Sequence, residues 1–164
     1  EERWKVMHDS RAGAFGIVGV ALLLLLKYVL LNSVPGNLTT ATLLMMPVVS
    51  RWAMVYAIVA FRYARQEGLG KAFKLGASRL RLVTSTIITL ALVIFSAWIG
   101  SMTYYYLAGL VIIFAAWVII ILAALYFKRK FSGLTGDTYG AINEIAEVCV
   151  LIMMSIFAFN GWLI

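Results

Sequence analysis

Apolar residues in this chain come in five long blocks: about Ala14–Leu31, Ala41–Phe61, Leu82–Gly100, Tyr104–Phe127 and Ala141–Leu163. Polar and charged residues gather between them. A helix needs roughly 20 apolar residues to cross a bilayer, and each block is of that order. In lipid every backbone polar group must bond internally, so only helices and closed barrels span, and these blocks lack the strict alternation of barrel strands. The pattern therefore predicts an all-α integral membrane protein, a bundle of about five transmembrane helices. The connections are short, so residues 1–164 read as a single polytopic membrane domain. Gly16, Gly19 and Gly109 fall inside blocks, where small residues allow close helix packing.

Composition agrees. Hydrophobic residues make up 63% of the 164 and charged residues only 13%, against about 25% charged in an ordinary soluble domain. A soluble globular domain, a disordered chain and a disulfide scaffold are excluded. The single Cys149 cannot form an internal disulfide and reads as a packing residue. The first residue is Glu1, and no basic segment with a cleavage site precedes the first block. The expectation is a processed or truncated piece, the C-terminal portion of a longer chain.

Charge adds orientation. The net charge is +7, and of 14 basic residues only Lys27 and Arg51 lie within blocks. The other twelve all fall in Glu1–Gly13, Arg62–Arg81 and Lys128–Gly140, while Asn32–Thr40, Ser101–Thr103 and the C-terminal end carry none. The positive-inside rule puts the N-terminus in the cytoplasm and the C-terminus outside. Tyr104, Tyr105, Tyr106, Trp98 and Trp162 then form an outer aromatic belt. The basic excess reports topology, and no nucleic-acid partner is expected. Acidic residues gain little from that rule. Yet Glu1, Glu2, Asp9, Glu67, Asp137 and Glu144 collect on the same side, with Glu147 one turn deeper. A mixed cluster on one face predicts a polar site there.

Arg51 sits near the middle of the second block, roughly 15 Å from either end at 1.5 Å per residue. An Arg there costs about 2.5–3.5 kcal/mol even on the lenient insertion scale. Arg62 is 11 residues on, close to three turns, and Arg65 lies within about 60° of it at 100° per residue. Continued as one helix, the three form a basic column from mid-membrane to the cytoplasm. Arginine forks suit phosphate oxygens, so an anionic ligand is the natural partner. Alone, Arg62 and Arg65 would be ordinary positive-inside residues. Pro47, one turn before Arg51, frees a carbonyl and is placed to kink the helix.

Asp137, Gly140, Glu144 and Glu147 recur at i, i+3, i+7 and i+10 on one helical face, with Asn143 beside them. Asp137 reads as an N-cap of the fifth span. Acids near a helix start also gain from its dipole, which accounts for Asp137 and partly for Glu144, but not for Glu147. Hard oxygen ligands facing a basic cleft suit Mg²⁺ bridging to phosphate. Asp9 and Ser10 are capping candidates for the first span, and Asp9 with Arg11 equally suits a metal and a phosphate. His8 has no second His or Cys partner and reads as a solvated interfacial residue. Gly68-Leu-Gly70 is a weak version of a phosphate-cradling turn. One His and one Cys supply neither a Ser-His-Asp set nor a zinc spacing.

Three segments go further: Asp9-Ser-Arg-Ala-Gly-Ala-Phe-Gly16, Arg51-Trp-Ala-Met54 with Tyr63-Ala-Arg-Gln-Glu-Gly-Leu-Gly70, and Gly133-Leu-Thr-Gly-Asp137 with Gly140-Ala-Ile-Asn-Glu144. In this order and spacing the chain, from Met7 to about Met154, closely resembles the cobalamin synthase family, adenosylcobinamide-GDP ribazoletransferase. The resemblance implies a late step of cobalamin (vitamin B12) biosynthesis at the bacterial or archaeal cytoplasmic membrane. It implies a transferase of phosphorus-containing groups that joins adenosylcobinamide-GDP to α-ribazole or its 5′-phosphate with Mg²⁺ and releases GMP. On that model Asp137, Glu144 and Arg51 are catalytic, and Asp137 and Glu144 hold metal or orient the attacking hydroxyl. Asp9, Ser10, Arg11, Arg62, Arg65, Glu67 and Asn143 bind substrate. One departure stands out. The family carries an Asp-Gly-x-x-Asp stretch ahead of the Asp-Ser-Arg segment as its expected metal site, and this chain begins after it. The lipid bilayer is the other expected partner, and a homo-oligomer is left open. Two further readings compete: a lipid headgroup transferase with the same mixed cleft, and a transporter component. The latter needs polar residues through the full membrane depth, and only Lys27 and Arg51 lie deep.

Overall fold

The computed structural model describes residues 13–64, 69–100 and 105–159. Among the described residues six helices follow one another: α1 (Ala14–Asn32), α2 (Gly36–Ala60), α3 (Leu69–Leu75), α4 (Arg79–Ile99), α5 (Tyr105–Phe131) and α6 (Gly136–Phe159). All but the short α3 are long and apolar enough to cross a membrane, so the chain is an all-helical, multi-pass membrane protein. Among the described residues the extended pairing is limited to one parallel bridge, Tyr63 to Leu134.

The centre of the bundle is α2. Its Leu38, Ala41, Met45, Val49, Ala53 and Ala57 are fully buried at spacings of three and four, and the alanines let neighbouring backbones approach. It packs against α4, α5 and α6, while α6 also holds α5 and α1. The facing stripe on α6 is Tyr139, Ile142, Ala146, Val150 and Met154. Helix α1 has no buried residue and rests on α6.

Helix boundaries depart from the apolar blocks where caps or charge set them. Helix α2 begins at Gly36, five residues early, because Pro35 supplies a fixed φ of −55° and its carbonyl accepts from the Leu38 N–H at 2.9 Å. Helix α5 runs on to Phe131 through Lys128, Arg129 and Lys130, cations that suit the negative end of a helix dipole. Helix α6 starts at Gly136, and its cap is not Asp137. The Thr138 N–H donates to Thr135 Oγ1 at 3.3 Å, and the Thr135 N–H donates to Thr138 Oγ1 at 2.7 Å. This reciprocal box satisfies two end groups, and Asp137 lies in the first turn, one residue inside the helix start.

Helix α2 ends at Ala60, with Phe61 already extended. Arg51 and Arg62 therefore do not share one helix, because the helix that would align them stops before Arg62. The chain instead runs along the segment before α6. The Leu134 N–H donates to Arg62 O at 2.9 Å, and the Ala64 N–H donates to Leu134 O at 2.8 Å. Gly133 makes this possible. A Cβ there would lie 2.9 Å from Arg62 O and 3.0 Å from Ala64 Cα, at a φ of +156°. Lys74 of α3 closes the same end, its Nζ donating to the carbonyls of Ile58, Val59 and Phe61 at 2.6, 3.1 and 2.8 Å. These are end carbonyls of α2 that no helical N–H reaches. Burial pushes the Lys74 pKa below the ordinary lysine value.

Candidate active site

The two loops joined by the bridge carry two of the three motif segments. Tyr63 follows α2, and Gly133–Asp137 opens α6. The Tyr63 ring stacks on Tyr139 at 6.3 Å between centroids and 23° between planes. Gly70 sits under the same ring, where a Cβ would meet Tyr63 Cε2 at 2.5 Å. Gly70, the second residue of α3, thus allows close packing of Tyr63 on that helix. Gly68 lies outside the described residues.

One to two turns along α6 from that junction is a polar centre within the membrane-spanning part. Lys27 of α1 donates to Glu144 Oε2 at 2.5 Å and to Glu147 Oε2 at 2.6 Å. Glu147 is committed on its other oxygen as well. Its Oε1 accepts from Asn143 Nδ2 at 2.9 Å and lies 3.3 Å from the Ser50 hydroxyl of α2. Glu144 differs. No hydrogen bond among the described residues reaches its Oε1, and its side chain is 42% exposed against 13% for Glu147. The centre thus has a closed carboxylate and a half-open one. One ammonium serves two carboxylates, which leaves the group one positive charge short.

Among the described residues two buried polar atoms of α6 lack partners: Tyr139 Oη and Asn143 Oδ1. Nearly all buried polar atoms in proteins are bonded, so this pair has hydrogen-bonding capacity left for a water or a ligand group. Tyr139, Asn143 and Glu147 follow one another at i, i+4 and i+8, a polar stripe from the loop junction to the ion pairs.

The predicted site residues divide accordingly. Glu144, Glu147 and Asn143 come together, and Asp137 lies two turns before Glu144 on the same helix. The backbones of Asp137 and Glu144 are about 10 Å apart along the axis. Among the described residues no group of three His, Cys, Asp or Glu gathers around one point. Glu144 fits Mg²⁺: it offers one uncommitted hard oxygen in a centre short of positive charge. Mg²⁺ commonly uses one or two carboxylates, its own waters and substrate phosphates.

Arg51 is not in this centre. Ser50 is the residue of α2 turned to Glu147, and Arg51 lies about 100° round the helix. It lines a groove of about 430 Å³ between α2 and α4 with Trp52, Ser85, Ile88, Thr89 and Leu92. Its Nη1 lies 3.6 Å from Met54 Sδ. Arg62 is exposed beside the loop junction. Asp9, Ser10, Arg11, Arg65 and Glu67 lie outside the described residues.

Comparison with known proteins meets this arrangement. The family model for cobalamin-5-phosphate synthase matches residues 1–155. The chain belongs to the cobalamin-5-phosphate synthase family. The adenosylcobinamide-GDP ribazoletransferase of Roseiflexus sp. is 37% identical over 161 residues, which is 96% of this chain and 56% of the relative. Proteins of that name from Geotalea daltonii and Syntrophobacter fumaroxidans are 37% and 39% identical, covering 95% and 92% of this chain and 59% and 58% of their own lengths. The chain thus spans a little over half the length of these relatives. No solved structure matches it.

Within this family frame, sequence reasoning missed three participants. Lys27 was visible only as a deep cation without a partner. Neither Ser50 nor Tyr139 carries a signal in the sequence pattern. The usable clue was Glu147, an intramembrane acid that helix-dipole arguments left unexplained. An acid and a Lys at similar depth on different spans each need the other.

Proposed function

We propose that the site of this synthase-family chain takes part in transfer of the cobinamide phosphoryl group of adenosylcobinamide-GDP to a ribose hydroxyl of α-ribazole or α-ribazole 5′-phosphate. The carrying observation is the family match over residues 1–155. The half-open Glu144 next to the joined motif loops supports it. The hydroxyl oxygen bonds to the phosphorus attached to cobinamide, the phosphorus–oxygen bond to GMP breaks, and GMP leaves with the pair of electrons. The hydroxyl proton passes to a carboxylate or water.

Such transfers depend mostly on positioning and charge neutralisation. Glu144 Oε1 is the oxygen available to accept the attacking hydroxyl's hydrogen bond or to hold Mg²⁺. A bound Mg²⁺ would neutralise charge on the diphosphate. Asn143 Oδ1 and Tyr139 Oη, both without partners, orient polar groups of the substrate. Asp137 and Arg62 stand at the loop junction, where Arg62 meets phosphate. Asp9, Ser10, Arg11, Arg65 and Glu67 complete the substrate set that the family resemblance implies. The basic residues of the connecting segments support an orientation with this end of the bundle in the cytoplasm, and the family reading implies the inner membrane of a bacterium or archaeon.

The test is GMP release from adenosylcobinamide-GDP and α-ribazole 5′-phosphate. It uses membranes carrying the chain, and a chimera in which it replaces the matching segment of the Roseiflexus relative. Activity that requires Mg²⁺ and stops with a chelator is expected. Release of nucleotide from an activated lipid, and none from adenosylcobinamide-GDP, would replace this reading with a lipid headgroup transfer.

A further inference from the structure

We infer that Lys27 is a positioning residue: its ammonium fixes the direction of the Glu144 carboxylate, and so presents Oε1 to the substrate. The inference rests on the transfer reading above. The contacts form an ordered chain. Asn143 and Ser50 hold Glu147 Oε1, Glu147 Oε2 holds Lys27, and Lys27 holds Glu144 Oε2. Glu147 and Lys27 are each held by more than one contact. Glu144 is held through Oε2 alone, and its side chain is 42% exposed. A Glu side chain has three rotatable bonds and loses rotamer freedom when ordered, so an unanchored Glu144 would sample many directions.

The alternative is that Lys27 merely fastens α1, which buries no residue, to the bundle. The structure holds a second fastening for that task. Ser33 Oγ and Ser155 Oγ are 2.7 Å apart, and Ser155 Oγ also donates to Leu30 O at 3.2 Å. An apolar residue at position 27 with this latch would dock a membrane helix more cheaply than a Lys. A Lys whose ammonium touches both carboxylates does something an apolar residue cannot. It sets the distance and angle between a carboxylate tied into α2 and α6 and one left half free.

The latch supplies the test. Ser33→Cys with Ser155→Cys, oxidised, staples α1 to α6 at a separation that suits a disulfide. Kinetics are compared in the chimera for stapled and unstapled forms, with Lys27, Lys27→Met and Lys27→Arg. Lys27→Met is expected to lower kcat about 10- to 100-fold, the usual cost of losing a group that orients a site ligand. KM for adenosylcobinamide-GDP should stay within about twofold, since the substrate contacts remain. The staple should not restore kcat, whereas Lys27→Arg should restore part of it. Should Lys27→Met fold poorly, the stapled form carries the same comparison against stapled protein with Lys27. Full recovery by the staple, a change in KM alone, or an unchanged kcat in folded Lys27→Met each overturns the inference.

A second measurement needs no activity. A membrane-permeant carbodiimide should join Lys27 to Glu144 or Glu147 as an amide, seen as a cross-linked peptide by mass spectrometry. Absence of that peptide from membrane-embedded protein overturns the inference through its geometry. With the peptide present, no GMP release from the chimera with Lys27 intact overturns the transfer reading, and the role of Lys27 in it.

Discussion

At the scale of single residues, two acids three positions apart differ in how much of each is already committed. Both oxygens of Glu147 are engaged and one of Glu144 is not. Glu144→Gln should therefore lower kcat for GMP release by about 10²-fold or more, the scale of a positioned acid–base or charge-neutralising group. Glu147→Gln keeps an acceptor for Asn143 and Ser50 but weakens the hold on Lys27. It should lower Tm in detergent and leave kcat within about tenfold of the unsubstituted protein, the lower bound for loss of an orienting partner. Steady-state kinetics and a melting curve on each variant check both statements, and the reverse ranking would move the site to Glu147. Arg51 makes the opposite case. Sequence depth alone argues for a phosphate clamp, yet the side chain opens into the α2–α4 groove, away from Glu144. Arg51→Lys should change kcat/KM less than about fivefold. A larger loss would signal a broken charged hydrogen bond, worth about 1.5–3 kcal/mol, and would return Arg51 to the substrate.

At the scale of elements, the decisive feature is a meeting of two loops. Helix α2 stops at Ala60, the chain extends, and Arg62 and Ala64 pair with Leu134. That pairing exists because Gly133 leaves room for two backbones. Gly133→Ala should cost about 1–3 kcal/mol, the range for a residue forced into a strained backbone conformation. The loss should appear as a lower Tm in detergent, with reduced GMP release because α6 and its acids hang from this junction. An unchanged Tm would mean that the loops part easily and do not set the register of α6. The apolar blocks could not reveal this contact. Sequence pattern encodes a helix's own period, whereas the approach of two loops about 70 residues apart depends on where α2 through α6 place them.

At the scale of the whole molecule, the distribution of charge predicts the orientation of the bundle. Every basic residue outside the spans belongs to alternate connecting segments, and the K/R bias of short loops sets orientation. A reporter fused at Ser78 should read as cytoplasmic and one at Ile164 as external. A cytoplasmic signal at Ile164 with an external one at Ser78 would invert the bundle and put the loop junction outside, away from a nucleotide substrate. The same bundle explains why Lys27 is tolerated: its charge is met within the protein by α6, and breaking such a buried pair costs about 3–5 kcal/mol.

What the sequence alone determined is the class of protein, the number of spans and the side that carries charge. These follow from hydropathy and from the cost of leaving backbone groups unbonded in lipid, both local properties of the chain. It also held the i, i+3, i+7, i+10 face of α6, since helical period fixes which residues share a face. Tertiary structure decided the rest. It took Arg62 out of line with Arg51 by ending α2 at Ala60, and gave the cap of α6 to Thr135 in place of Asp137. It turned Ser50 and not Arg51 toward Glu147, and it gave the intramembrane acids their cation from α1, more than 110 residues away. Charge partners across a bundle are chosen by helix rotation and depth. Those are settled only when apolar faces such as Leu38–Ala57 and Tyr139–Met154 lock together.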